Sequence, residues 1–301
     1  MRTRDIGLAG LIVLVWGVNF AVIKAGLHGV PPLLLGALRF VLAALPVLFV
    51  PRPKLPWRLY ILYGLTISVG QFGFLFSAIH VGMPTGLASV VLQSQAFFTL
   101  LLSLLWLGER WRTSQLLGLL LAAGGLALIG MAHGLGMPLL GFLFTLCAAS
   151  MWACGNIVTR QVAKHGPVNM FAFVVWASLI PPLPFLGLSL AIEGPEAIRT
   201  ALTGFSWPSL LAVAYLAWVA TLLGYGLWSR LLARYPANQV APFSLLVPVV
   251  GLITAWVVYR EQLNGQQWGG VVLLMAGLLV NLQGARLWSL LRGQPAPART
   301  G

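Results

Sequence analysis

WGVNFAVIKAGLHGVP, residues 16–31, returns as WACGNIVTRQVAKHGP, residues 152–167. In both copies a basic residue, Lys24 or Arg160, follows the tryptophan by eight positions, and a proline follows it by fifteen. A second set of matches runs at an offset of 152: Pro84 with Pro236, Glu109 with Glu261, Gly118 with Gly270 and Gly125 with Gly277. A chain that repeats itself over half its length is built from two units of one plan. When both units are hydrophobic, the plan is that of a membrane fold.

Composition agrees. The 301 residues are 59% hydrophobic and 8% charged, with a mean hydropathy of +0.92, against about 25% charged in soluble proteins. Residues 113–159 contain no Asp, Glu, Lys or Arg, and a bilayer span needs only about 20 apolar residues. The chain therefore reads as an integral membrane protein. Its net charge of +13 does not mark a nucleic-acid partner, because the basic residues stand singly or in pairs between apolar runs rather than on one face.

Charges and turn residues cut the chain into about ten apolar segments, at 6–26, 32–50, 58–79, 86–107, 114–132, 139–162, 168–191, 207–232, 239–259 and 265–285. With a cytoplasmic N-terminus, fourteen basic residues fall on the cytoplasmic side and three, Lys24, Arg199 and Arg260, on the other. Arg39 lies within a span. That asymmetry is the positive-inside pattern, and an added or dropped span would scramble it. Five spans per half is an odd number, so the second half enters the membrane in the opposite sense. The expected fold is all-α, ten transmembrane helices as two inverted five-helix repeats. The units are 1–137 and 138–285, with residues 286–301 a disordered cytoplasmic tail, and both termini are cytoplasmic.

Polar groups inside a bilayer are expensive and mark candidate function. Arg39 is the one charge well inside a span, roughly 10 Å from its start. It can grip a carboxylate with two prongs, or snorkel to the outer interface. Trp16 and Asn19 share a helix face, and Trp152 with Asn156 answer them in the second half. Gln71 lies mid-span in the third segment, and Gln93 and Gln95 in the fourth. Two residues apart in an α-helix are about 200° apart, so only one of that pair is expected to face a cavity. Tyr225 stands where the first half has Gly73, and Arg39 where the second has Val175. These nine residues form the expected substrate-binding set. Gly118, Gly125, Gly270 and Gly277 make small-residue stripes on the fifth and tenth helices, suited to close packing or to pairing of two copies. Prolines 181, 182, 184, 242 and 248 mark bends in the seventh and ninth helices.

Five acids, Asp5, Glu109, Glu193, Glu196 and Glu261, all fall at predicted ends or loops. No phosphate loop or metal-ligand spacing occurs, so no cofactor is expected. An intramembrane enzyme would need a converging nucleophile and acid/base set within the spans, which the sequence does not offer.

Several stretches resemble the EamA family of the drug/metabolite transporter superfamily: WGVNFAVIKAGLHGVPP from Trp16, LRF around Arg39, YGLTISVGQFGFLF from Tyr63, GMPTGLASVVLQSQAFFT from Gly82, GER at 108–110, WACGNI from Trp152 and VAPFSLLVPVVGL from Val240. The matches run from the first span to the tenth. The resemblance implies a ten-helix exporter in the bacterial inner membrane that carries small amino-acid metabolites such as cysteine and O-acetylserine. A carrier of aromatic amino acids or nucleosides is the alternative within the same superfamily. The expected partners are the small-molecule substrate and the lipid bilayer.

Overall fold

The computed structural model describes residues 1–107, 113–133, 136–235 and 237–291. The GER element at 108–110, Arg112, Pro236 and residues 292–301 lie outside the described residues.

Hydrocarbon offers no hydrogen-bond partners to a backbone, so the apolar segments close their own bonds as helices. In chain order these are α1 (Thr3–Leu27), α2 (Pro32–Leu48), α3 (Trp57–His80), α4 (Thr85–Trp106), α5 (Thr113–Met131), α6 (Leu139–Ala163), α7 (Met170–Glu193), α8 (Trp207–Leu232), α9 (Pro242–Tyr259) and α10 (Gly265–Leu291). Among the described residues, α1 and α3 to α9 are long and apolar enough to cross a membrane, and α2 is shorter. Proline starts several of them. Pro31, Pro56, Pro84 and Pro138 stand as N-caps of α2, α3, α4 and α6, where a missing N–H removes no helix bond. The last helix continues to Leu291. Residues 286–291 are therefore helical, in place of the disorder expected from 286 onward, and the sequence there holds no glycine or proline to stop the helix.

The acids hold helix ends together. Glu193, closing α7, accepts from the backbone N–H of Leu33 (2.6 Å) and of Leu34 (3.2 Å), and from Ser189 Oγ (2.6 Å). It thereby supplies the first turn of α2 with the acceptors it lacks. Glu261, after α9, does the same for α4. It accepts from Gly86 N–H and Thr85 Oγ1, each at 3.1 Å, and pairs with Lys24 Nζ of α1 at 2.8 Å. At the far end of α1, buried Asp5 accepts from the Tyr235 hydroxyl at 2.7 Å and faces Arg234 at 3.6 Å.

The two repeats meet along α5 and α10. A Cβ added to Gly118 would lie 2.6 Å from the Gly277 carbonyl oxygen, and one on Gly277 would lie 2.6 Å from that of Gly118. Gly125 and Gly270 meet in the same reciprocal way, at 2.6 and 2.7 Å. Gly118 corresponds to Gly270 and Gly125 to Gly277, so each contact is the image of the other. Because 118 faces 277 while 125 faces 270, the helices run antiparallel. A two-fold axis perpendicular to the pair generates this pattern. The glycine stripes are thus filled within the chain.

Irregular turns repeat as well. α3 widens to a π-helix over Gly64–Gly70 and α8 over Tyr215–Leu223, two segments that overlie at the 152-residue offset. α4 tightens to a 3₁₀ turn at Leu92–Ser94, and the helix entering α9 breaks at 245–246. α7 is interrupted between Ala177 and Pro182, at the prolines expected to bend it. Those of α3, α4 and α8 lie near the middle of their spans and, with residues on either side of the break at 245–246, border a cavity.

Candidate functional site

A cavity of about 850 Å³ lies between α1, α2, α3, α4, α6, α7, α8 and α9. Trp16, Asn19, Arg39, Gln71, Gln93, Gln95, Trp152, Asn156 and Tyr225 all stand on its wall, so the fold brings all nine sequence candidates together. Neither α5 nor α10 contributes to the lining, consistent with their use for packing.

Arg39 is 2% exposed, which removes the snorkelling alternative. Its Nε and Nη2 donate to Thr221 Oγ1 at 3.2 and 2.8 Å. Its guanidinium lies 3.8 Å from the Phe72 ring centroid, an arrangement that suits a desolvated cation. Nη1 is buried without a partner. The same is true of Asn19 Oδ1 and Gln71 Oε1 on the same wall. A buried polar atom left unpaired costs about 1–3 kcal/mol, and three such atoms on residues of one cavity wall make it the candidate site for a polar occupant.

Both Gln93 and Gln95 line the cavity, contrary to the expectation that one would turn away. The regular helix assumed for that expectation is not present. Through the 3₁₀ turn at Leu92–Ser94 successive residues advance about 120°, so the two side chains diverge less, and the cavity wraps around the break. Their bonds run to different helices. Gln93 Nε2 donates to the Ser244 carbonyl at 3.1 Å, and Gln95 Oε1 accepts from Asn156 Nδ2 at 2.7 Å. Ser244 ends the helical turn before the break at 245–246, and Gln93 ties its carbonyl to α4. Asn156 also donates to Thr99 Oγ1 at 3.0 Å, and Arg160 Nη1 to Ser103 Oγ at 2.8 Å. A polar ladder thus descends the α4–α6 contact away from the cavity.

Trp16 forms an aromatic wall. Its Nε1 donates to the Ala220 carbonyl at 3.0 Å, and its ring lies 5.5 Å from Tyr225 and 5.4 Å from Trp228. Gly224 allows the approach, since a Cβ there would fall 2.5 Å from Trp16 Nε1. Thr221, Phe72 and Trp228 are functional-site neighbours that sequence reasoning missed. The signal for Thr221 was available in the repeat, because its counterpart at the 152 offset is Val69.

The cavity reaches one end of the molecule at Asn169, Ser229 and Arg230. A second cavity, of about 1270 Å³, is bounded at the other end by His28, His80, Glu193 and Glu196. Between them stands a buried aromatic cluster. Phe40 stacks on Phe185 with centroids 6.1 Å apart and packs on Phe72 at 5.8 Å, and Phe72 on Phe76 at 5.6 Å. Two recesses toward opposite ends thus flank a buried aromatic cluster, with buried polar groups beside it.

A family model for EamA-like transporters matches residues 5–131 and again residues 139–283. The chain belongs to the EamA-like transporter family. The model's double match falls on the two repeats. Relatives of this EamA-like protein include a "Probable amino-acid metabolite efflux pump" of Salmonella typhimurium strain LT2, 51% identical over 291 residues, covering 95% of this chain and 97% of that one. A protein of the same name from Escherichia coli K12 is 48% identical over the same shares. An "Uncharacterized inner membrane transporter YedA" of E. coli K12 is 25% identical over 94% of this chain and 93% of its own. A solved crystal structure, 22% identical, superposes with a TM-score of 0.62 over 96% of this chain and 99% of its own, a likeness of fold.

Proposed function

We propose that this multi-pass membrane protein exports small amino-acid metabolites across the bacterial inner membrane by alternating access. The observation that carries the reading is Arg39, a buried guanidinium with Nη1 unpartnered in a cavity whose other inward polar groups are largely amides. A substrate carboxylate placed against it gains a charge-assisted bond in a site already stripped of water. Asn19 and Gln71 offer carbonyl oxygens to an amine, and Trp16, Trp152 and Tyr225 pack on the remainder. The names of the two relatives near half identity support amino-acid metabolites as the class, and that of a more distant one supports the inner membrane. The motif resemblance around Gln93 and Leu245 supports cysteine and O-acetylserine within that class.

In this reading the chain has ten spans, α2 and α10 being the two beyond the eight long apolar helices. Residues 1–137 and 138–285 are inserted in opposite senses, and both termini are cytoplasmic. The fourteen-to-three split of basic residues and the reciprocal packing of α5 on α10 support it. The central cavity then faces the cytoplasm and the larger one the periplasm. Any pairing of two copies through α5 and α10 has to use their lipid-facing sides.

A cavity of about 850 Å³ is roomy for cysteine and within the size range of sites for drug-sized ligands. This favours aromatic amino acids or nucleosides as a second reading. Proteoliposomes containing the purified protein, loaded with labelled cysteine or O-acetylserine, with and without a pH gradient, separate the two. Efflux above protein-free liposomes supports the first. Movement of tyrosine or a nucleoside, with neither cysteine nor O-acetylserine moving, refutes it.

A further inference from the structure

The guanidinium of Arg39 does not meet an acid; it meets a hydroxyl. Thr221 Oγ1 accepts from both Nε (3.2 Å) and Nη2 (2.8 Å), and its own proton goes to the Leu216 carbonyl at 2.8 Å. A hydroxyl has one proton and two lone pairs, so with the proton committed to Leu216 both lone pairs face the arginine. The carbonyl it uses is five residues back. In a regular helix a threonine hydroxyl reaches the third or fourth carbonyl back; the π-wound segment Tyr215–Leu223 brings the fifth within range. The wide turn thus sets the hydroxyl's orientation, and the hydroxyl sets the arginine's. With Nε and Nη2 held and the plane lying over Phe72 at 3.8 Å, Nη1 is left as the donor without a partner.

Repeat symmetry singles out the same pair. At the two offsets, Arg39 corresponds to Val175 and Thr221 to Val69. Both ends of one contact depart from the shared plan together, each from valine to a hydrogen-bonding residue. Packing alone would not require that, because the other half fills the equivalent positions with apolar side chains.

We infer that Thr221 is a positioning residue that orients the Arg39 guanidinium and so sets the carrier's preference for substrates bearing a carboxylate. The inference rests on the anion site proposed at Arg39. It makes specificity depend on a residue that need not touch substrate. Losing the hydroxyl that accepts both charge-assisted bonds frees the guanidinium and weakens carboxylate binding about tenfold.

Transport of L-cysteine and of its carboxamide, which keeps the amine and thiol but lacks the carboxylate, is measured in proteoliposomes for the wild type, Thr221→Val and Thr221→Ser. Thr221→Val is expected to raise KM for cysteine about tenfold, while KM for the carboxamide changes by less than about twofold, so that discrimination collapses. Thr221→Ser, which restores a hydroxyl, is expected to retain it. Thr221→Ala, also without a hydroxyl, is read alongside, so that the result does not hang on the folding of one variant. A purely structural role would move both substrates together. A wild type that carries both compounds equally overturns the anion-site reading and this inference with it. A wild type that discriminates, with Thr221→Val and Thr221→Ala still discriminating, overturns this inference alone.

Discussion

Gly124 and Gly125 are neighbours on α5 whose replacement by alanine has opposite expected consequences. A Cβ on Gly125 would lie 2.6 Å from the Gly270 carbonyl oxygen and 2.7 Å from Leu274 N, both backbone atoms of α10. An ordinary carbon contact is about 3.5 Å, so the two helices must separate by roughly 0.8–0.9 Å at this point. The glycines set the distance at this point, and separation loosens contacts on either side, such as that of Ile129 against Gly270. Overpacking of this kind costs about 1–3 kcal/mol, offset by roughly 0.5–1 kcal/mol of helix propensity gained on replacing glycine. A Cβ on exposed Gly124 meets nothing within 4 Å, so only the propensity gain remains. Gly125→Ala is therefore expected to destabilise by about 1–2 kcal/mol and Gly124→Ala to stabilise by up to about 1 kcal/mol. Gly270→Ala should match Gly125→Ala, since it meets the same contact from the other side. The double variant should cost less than the sum, because helices already pushed apart do not have to separate twice. Unfolding titrated with sodium dodecyl sulfate in mixed micelles reads all four. Equal effects at 124 and 125, or strict additivity at 125 and 270, would refute the reciprocal close packing from which the two-fold relation is argued.

Three further outcomes are expected. Arg39→Lys keeps the charge but not the fork that grips Thr221, so KM for cysteine should rise about tenfold or more; unchanged affinity would remove Arg39 from the substrate site. Gln93→Leu removes the side-chain bond that ties α4 to the Ser244 carbonyl and should lower stability by about 0.5–1.5 kcal/mol, as read by the same micelle titration; an unchanged midpoint would mean that the bond contributes nothing to the folded state. In a background carrying Cys147→Ser and Cys154→Ser, an impermeant thiol reagent applied to intact cells should label Arg199→Cys and spare Lys54→Cys, and the reverse result would invert the proposed topology.

Much of the architecture was legible along the chain. Hydropathy is a sum over neighbouring residues, so the helices begin and end close to where apolar runs do, and prolines at 31, 84 and 138 mark their starts. The duplication was equally plain, because repeat offsets need no knowledge of contacts. The nine candidate residues reached one cavity because polar side chains in a bilayer have few places to go except inward. Local geometry was less legible. The expectation that Gln93 and Gln95 could not share a cavity assumed a regular helix, and nothing in LQSQ announces a 3₁₀ turn. Glu193 and Glu261 read as loop acids, while the fold uses them to cap α2 and α4.

The sequence by itself determined an all-helical membrane chain of two related halves, the places where those halves differ, and the scarcity of charge inside. It could do so because burial in lipid acts residue by residue. Only the tertiary structure decided that two of those differences, Arg39 and Thr221, are one contact. They are 182 residues apart, and a hydrogen bond depends on ångström placement that no periodicity encodes. The same holds for the orphaned Nη1: a donor is left unpaired by what surrounds it, and its surroundings come from other helices, α3 and α8 among them.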